Sequence, residues 1–290
     1  MTVWKRKANQ SIAQAVLGAA LMALLAGCTL KIDEQQFIAR SDGHTAYTQE
    51  FVGKLTHAMA PSKVSQIAFT TADKVNLKGF YIDNPNSETM LVFFQGNGMK
   101  VEPHSLSVLS KLAELQTDIV VIDRRGLGAS EGSPTIDNLL SDAQAQLAYL
   151  QQTYQPKQLV LHGYSLGSFI AGQLAKSNQI DALVMHGSAT NVDDWVDEKT
   201  PWYMPFVDIE VVGNFRQVDN QQVLAKYYKG PLLVIGGEND DMVPVELSNK
   251  LYQASQSSNK ELIIVPDATH TNMLDDEQTM AKYQAFLQTL

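Results

Sequence analysis

The chain has 290 residues and a single cysteine, Cys28, so no disulfide can form within it and oxidation does not constrain its fold. It has no long basic run, and 31 acidic against 22 basic residues leave a formal net charge of −9. Such a protein is a poor general binder of nucleic acid or anionic lipid. It contains no Walker A phosphate loop, no H-E-x-x-H and no C-x-x-C. The pairs Gly96/Gly98 and Gly126/Gly128 both lack the third glycine and the acidic partner of a dinucleotide loop. No metal or cofactor is therefore implied. No apolar run reaches the roughly 20 residues a membrane-spanning helix needs, and no repeat or low-complexity stretch is present. What remains is 44% hydrophobic residues, enough for a large core, in a length that fits one domain.

The N-terminus differs from the rest. A basic cluster, Lys5-Arg6-Lys7, precedes an apolar run from Ile12 to Leu25 broken only by Gln14. Leu25-Ala26-Gly27-Cys28 closes it with small residues ahead of the cysteine, the pattern of a secretory signal. The same four residues resemble the bacterial lipoprotein box. That resemblance implies removal of residues 1–27 as a signal peptide, lipidation of Cys28 and a tether in the bacterial cell envelope. Thr29, in place of aspartate after the cysteine, resembles sorting to the outer membrane. Losing the signal removes three basic residues and takes the net charge from −9 to −12. Multiple acyl chains on Cys28 would anchor the protein stably to a membrane.

Residues 28–63 read as a tether followed by a helix over Tyr47–Ala60, where Phe51, Val52, Leu55 and Met59 fall at helical spacing. Val64–Thr70 and Val75–Ile82 read as a hairpin around Thr71-Ala-Asp-Lys74. Strands and helices then alternate: strand 89–95, helix 104–116, strand 118–123, helix 135–153, strand 158–163, helix 165–177, strand 181–186. In the helix over 135–153, Ile136, Leu139, Leu140, Ala143, Leu147 and Leu150 form one stripe, with Asp137 and Asp142 off it. This alternation predicts an α/β domain over 64–290, with a mainly parallel sheet covered by helices on both faces.

Gly163-Tyr-Ser-Leu-Gly167 is the most informative stretch. It lies between an apolar strand and a helix, which makes it a G-x-S-x-G nucleophile elbow. The turn is so tight that side chains at 163 and 167 would clash, and it lifts the Ser165 hydroxyl above the sheet edge. A serine nucleophile needs a base. Of the histidines after Ser165, His186 ends a strand and reads as a core or strand-end residue. His270 lies in the polar loop Pro266–Asn272, just past the run Glu261–Val265, where open α/β sheets build sites. His270 is the candidate base. Between the two, the strand Pro231–Gly236 leads into Gly237-Glu-Asn-Asp-Asp-Met-Val-Pro244. Asp240 or Asp241 could orient the imidazole, and the register of the segment favours Asp240. An oxyanion hole completes the set. The backbone N–H groups of Leu166 and of Asn97, in Gln95-Gly-Asn-Gly98 after the strand 89–95, are its candidate donors. Asp123, ending a strand nearby, reads as a holder of the Arg124-Arg125-Gly126 turn.

Four segments now show a resemblance. Phe93–Gly98, Ile122–Pro134, His162–Gly167 and Gly237–Pro244 with Ala268-Thr-His270 resemble, in order, the motifs of α/β-hydrolases. They are similar to the serine aminopeptidase-like and monoacylglycerol-lipase-like branch. The resemblance implies an α/β-hydrolase fold with an N-terminal antiparallel hairpin and a short cap insertion at about 190–230. It also implies a lipase- or esterase-like serine hydrolase that cleaves carboxylic esters, with a small-molecule acyl ester as substrate, through an acyl-enzyme. In the family a histidine usually stands where this chain has Gln95. Within the insertion, Trp195, Trp202, Tyr203, Met204 and Phe206 could line an acyl pocket or form the insertion's own small core, and the acids of 193–198 read as a solvated helix face. Two other functions fit the same sequence: an amide or peptide hydrolase with the same triad, and a non-catalytic envelope binding protein on the hydrolase fold.

Overall fold

The computed structural model describes residues 28–41, 43–200 and 207–290. The proposed signal peptide, and Trp202, Tyr203, Met204 and Phe206, lie outside the described residues. The strands are β1 (Cys28–Ile32), β2 (Lys63–Thr70), β3 (Asn76–Asp83), β4 (Thr89–Phe94), β5 (Asp118–Ile122), β6 (Gln158–Tyr164), β7 (Ala182–His186), β8 (Val207–Val211), β9 (Leu232–Gly237) and β10 (Lys260–Val265). Eight of them form one sheet in the order β10-β9-β7-β6-β4-β5-β3-β2. The pairs from β10 to β5 are parallel, while β2 and β3 form an antiparallel hairpin that joins β5 antiparallel.

The strand sequences explain why both faces are covered. Along β4, Met90, Val92 and Phe94 point into one apolar cluster and Leu91 and Phe93 into the other, so alternate residues bury opposite faces. The helices Ile136–Tyr154, Leu166–Ser177 and Val245–Ala254 pack on the first face. The helices Gln49–Ala58, Leu106–Ala113 and Glu277–Leu287 pack on the second. The helix Ile136–Tyr154 starts at a capping box in which Thr135 Oγ1 accepts from the Asn138 N–H. Its apolar stripe is as read from sequence, but Asp142 is not on the solvent side. It is buried and accepts from Arg125 Nε and Nη2, both at 2.7 Å. Arg125 in turn holds Asp73 in the β2–β3 turn through Nη1 at 2.6 Å and Nη2 at 2.8 Å. A strict amphipathic reading assigns Asp142 to water because it cannot see a guanidinium arriving from a distant loop.

After β4 the chain crosses to β5 on one side, then returns to β6 on the other. The carboxyl ends of β4 and β6 thus flank the point where the winding reverses, the position where open α/β sheets place ligands. Residues 28–41 form a strand and a short helix, Glu34–Phe37. The strand β1 pairs in parallel with β8 in the insertion, giving a second, two-stranded sheet. Among the described residues no helix is long and apolar enough to cross a membrane.

Candidate active site

Ser165 stands between β6 and the helix Leu166–Ser177 with φ 53° and ψ −121°. This left-handed conformation costs a non-glycine residue on the order of 1–3 kcal/mol. The surrounding packing enforces it. A Cβ at Gly167 would collide with the Phe94 carbonyl, and one at Gly163 with the Ser168 backbone. The Ser165 N–H donates to the His186 carbonyl at 2.9 Å, and its own carbonyl accepts from the Ser168 N–H at 2.9 Å and Ser168 Oγ at 2.6 Å. Ser188 Oγ donates to Ser168 Oγ at 2.7 Å, and Asn220 Nδ2 donates to Ser188 Oγ at 3.2 Å. A buried polar row thus braces the elbow from behind, with Ser165 the residue it holds forward.

Asp240 and His270, separated by 30 residues in sequence, meet above the ends of β9 and β10. His270 Nδ1 donates to Asp240 Oδ2 at 2.7 Å. Asp240 Oδ1 accepts from the Met242 and Val243 N–H groups at 2.9 and 2.8 Å, so both carboxylate oxygens are engaged and the side chain is buried. Asp241, the alternative, is exposed, with its carbonyl accepting from Lys199 Nζ. A carboxylate can only accept, so the Nδ1 proton is fixed and the Nε2 lone pair is left free. The loop that carries the imidazole is held as well. Tyr164 Oη donates to the His270 carbonyl at 3.0 Å, and Asn272 Oδ1 accepts from the Thr269 N–H at 2.8 Å. Gly187, at φ 54°, leaves room for the ring, since a Cβ there would come within 3.0 Å of His270 Cε1. No motif of the sequence marks Gly187 or Asn272 as part of the site. Only Tyr164, inside the elbow motif, carries any signal of its place.

The loop after β4, which carries Asn97, is fixed by Arg124. Its Nη1 donates to the Gly96 carbonyl at 2.9 Å and its Nη2 to Asn97 Oδ1 at 2.9 Å. The Gly96 carbonyl and the Asn97 N–H belong to one planar trans peptide. Drawing the carbonyl down to the guanidinium therefore turns the N–H to the opposite side. Burial lowers the Arg124 pKa to about 10, well above neutral, so a full positive charge sits behind this peptide. Gln95 is buried, and its Nε2 has no partner among the described residues. Asp123 accepts from the Val101 N–H at 2.7 Å and the Ala129 N–H at 3.0 Å, tying the turn after β5 to the loop after β4.

Two chambers open on Ser165 and Asn97. The larger, about 590 Å³, is lined by His270, Tyr164, His104, Lys111 and Asp275 among others. The smaller, about 180 Å³, is walled by Leu166, Phe169, Trp195, Phe215, Phe37 and Val243. Trp195 lines this chamber and also donates from Nε1 to the Met242 carbonyl at 2.8 Å. The acids of the helix Val192–Lys199 face outward in part: Asp193 pairs with Arg216 at 3.0 Å and Glu198 with Lys250 at 3.0 Å.

Behind the site, Tyr283 Oη lies 3.1 Å from His162 Nδ1, and His162 Nε2 lies 3.3 Å from His186 Nδ1. Burial pulls the His162 pKa down to about 3. Burial, then the neighbouring His162 and His270, hold His186 well below the ordinary value. Both rings are therefore neutral at pH 7. Among the described residues no cluster of three or more His, Cys, Asp or Glu could hold a metal.

A family model described as alpha/beta hydrolase fold matches residues 89–212. With the sheet order and the elbow, this makes the chain a protein of the α/β-hydrolase fold. The matched stretch contains Asn97, Ser165 and Leu166 and ends before Asp240 and His270. Among curated relatives, Protein bem46 of Schizosaccharomyces pombe is 27% identical over 216 residues, covering 71% of each chain. The lysophosphatidylserine lipase ABHD12 of Danio rerio is 28% identical over 189 residues, covering 60% of this chain, which spans about half (49%) of that longer protein. Among solved structures, the Pyrococcus furiosus esterase Pf2001 is similar with a TM-score of 0.66 at 22% identity, over 87% of this chain and 98% of that one. At such identity the structural likeness speaks for the fold.

Proposed function

We propose that the protein is a serine hydrolase that cleaves carboxylic esters through an acyl-enzyme. The observation that carries this reading is the Asp240–His270 hydrogen bond on the same chamber wall as a strained, forward-held Ser165. Ser165 Oγ attacks the acyl carbonyl as His270 Nε2 takes its proton. The tetrahedral oxyanion accepts from the Leu166 and Asn97 N–H groups, each worth about 10²–10³ in rate. His270, with Asp240 stabilising its charged form, then returns the proton to the departing alcohol, and water repeats the cycle to release the acid.

The two chambers divide the substrate. The proton donor must reach the leaving oxygen, and His270 lines only the larger chamber, so the alcohol leaves through it. The acyl group takes the small apolar chamber. Ester and lipase activities borne in the names of similar proteins support the same substrate class. Ser165→Ala should abolish turnover of a short p-nitrophenyl ester and labelling by a fluorophosphonate while leaving the melting curve intact. Turnover retained in this variant would overturn the assignment. We also propose that Cys28 carries a lipid anchor to the bacterial envelope, on the strength of Leu25–Cys28. Palmitate labelling lost on Cys28→Ser is the expected result, and labelling unchanged by it would remove the tether.

A further inference from the structure

The segment that enters ahead of the helix Gln49–Ala58 is bound to the loop carrying the proposed oxyanion donor. The Asn97 side chain captures it at two points. Nδ2 donates to the Phe37 carbonyl at 2.8 Å, and Oδ1 accepts from the Ala39 N–H at 2.8 Å. The same Oδ1 accepts from Arg124 Nη2. Paired bonds to the backbone of one short stretch act like a rung of a sheet ladder, setting distance and register together. The segment is also held on both sides of this clamp. Upstream, β1 pairs with β8, and downstream the Ser41 N–H donates to the Gly126 carbonyl at 2.8 Å.

Held there, the Phe37 ring stands edge-on to Trp195 at 5.6 Å and to Phe215 at 5.0 Å between centroids. These three rings close the small chamber that opens on Ser165. Edge-to-face packing of this kind favours one ring position over others. The chamber wall therefore includes a residue that no elbow or triad motif predicts, and that residue is hydrogen-bonded to the side chain of the proposed oxyanion donor, Asn97.

The geometry points to Phe37 as a specificity-determining residue and to residues 37–39 as part of the substrate site. Phe37 ends the acyl chamber, and the Asn97 clamp couples its position to that of the oxyanion donor. This rests on the serine-hydrolase reading above. The ligand class is short-chain acyl groups whose ends meet the Phe37–Trp195–Phe215 edges. Lengthening the chamber should reward longer chains by about fourfold in kcat/KM for each further methylene buried.

The test is a series of p-nitrophenyl esters from acetate to laurate on the full chain. Phe37→Ala should raise the ratio of kcat/KM for octanoate over butyrate by about tenfold, mainly through KM, and Phe37→Trp should lower it. Asn97→Ala keeps the backbone N–H but loses the clamp. It should lower kcat by about tenfold at every chain length, with Asn97→Asp, which keeps the acceptor half, restoring part of the loss. Melting curves establish that each variant folds, and Phe37→Leu replaces Phe37→Ala if the latter does not. Phe37 variants whose chain-length profiles superimpose on that of an active, fluorophosphonate-labelled wild type would overturn the inference alone. A folded wild type that takes no label at Ser165 would overturn both it and the hydrolase reading.

Discussion

The two chambers around Ser165 are built from different kinds of chain. The larger is bounded by strand ends, the loops that follow them and the helix Leu106–Ala113, and is fixed by the eight-stranded sheet, by backbone hydrogen bonds and by the hydrogen bonds of Asp240 and Tyr164. The smaller shares Leu166, Phe169 and Val243 with that frame but is closed by Val192, Trp195 and Phe215 of the insertion and by Phe37, segments joined to each other through a two-stranded sheet and aromatic edges. Proton transfer tolerates errors of only a fraction of an ångström, whereas an apolar wall needs only the right volume. In the proposed hydrolase the chemistry would sit on the rigid frame, and selectivity on the segments that can be rebuilt without disturbing it.

Substitutions on the rigid side should cost most. Asp240→Asn should lower kcat by about 10⁴, because the imidazole loses the partner that fixes its tautomer. Asp241→Asn should stay near wild type. The reverse order of effects in steady-state ester hydrolysis would exchange their roles. Arg124→Met, which frees the Gly96–Asn97 peptide, should lower kcat by about 10–10² with KM little changed, and Arg124→Lys should recover part of it. Gly187→Ala forces a side chain into a left-handed backbone against the His270 ring. It should lower both melting temperature and kcat, a loss of about 1–3 kcal/mol in denaturant titration.

A subtler test concerns the buried rings behind the site. His162 has a folded pKa of about 3, below its unfolded value. Its neutral form therefore supports folding fully above about pH 6.5, and this support is lost as pH falls toward 3, where the unfolded chain binds the extra proton. His162→Gln should lower overall stability yet flatten the decline in melting temperature between pH 6.5 and 4. An unchanged slope would show that the ring does not carry it. Smallest of all, Asp193→Asn removes an exposed pair with Arg216 and should change stability by less than about 1 kcal/mol.

The same division governs what the sequence reveals. The elbow is legible because its glycines answer a local steric demand within five residues. The strands β4 to β7 are legible because both faces are buried and each reads as a continuous apolar run. Asp240 and His270 are separated by 30 residues, yet each follows a strand in the expected order, and the structure brings them into one hydrogen bond. Contacts between distant segments leave no such trace. Arg125 reaches Asp142 from a loop, Asn97 holds Phe37 from 60 residues away, and β1 finds β8 across most of the chain. None of these partners has a periodicity or motif that names the other. The helix Glu277–Leu287, with Tyr283 buried against His162, escapes notice for the same reason.

The parallel register of the two-stranded sheet sets Cys28 opposite Val207. The insertion thus re-enters as β8 at the corner of the fold occupied by Cys28, the residue proposed to carry the anchor. A short attachment at that corner would act as a pivot rather than a leash. It would keep the insertion close to whatever surface the protein is fastened to.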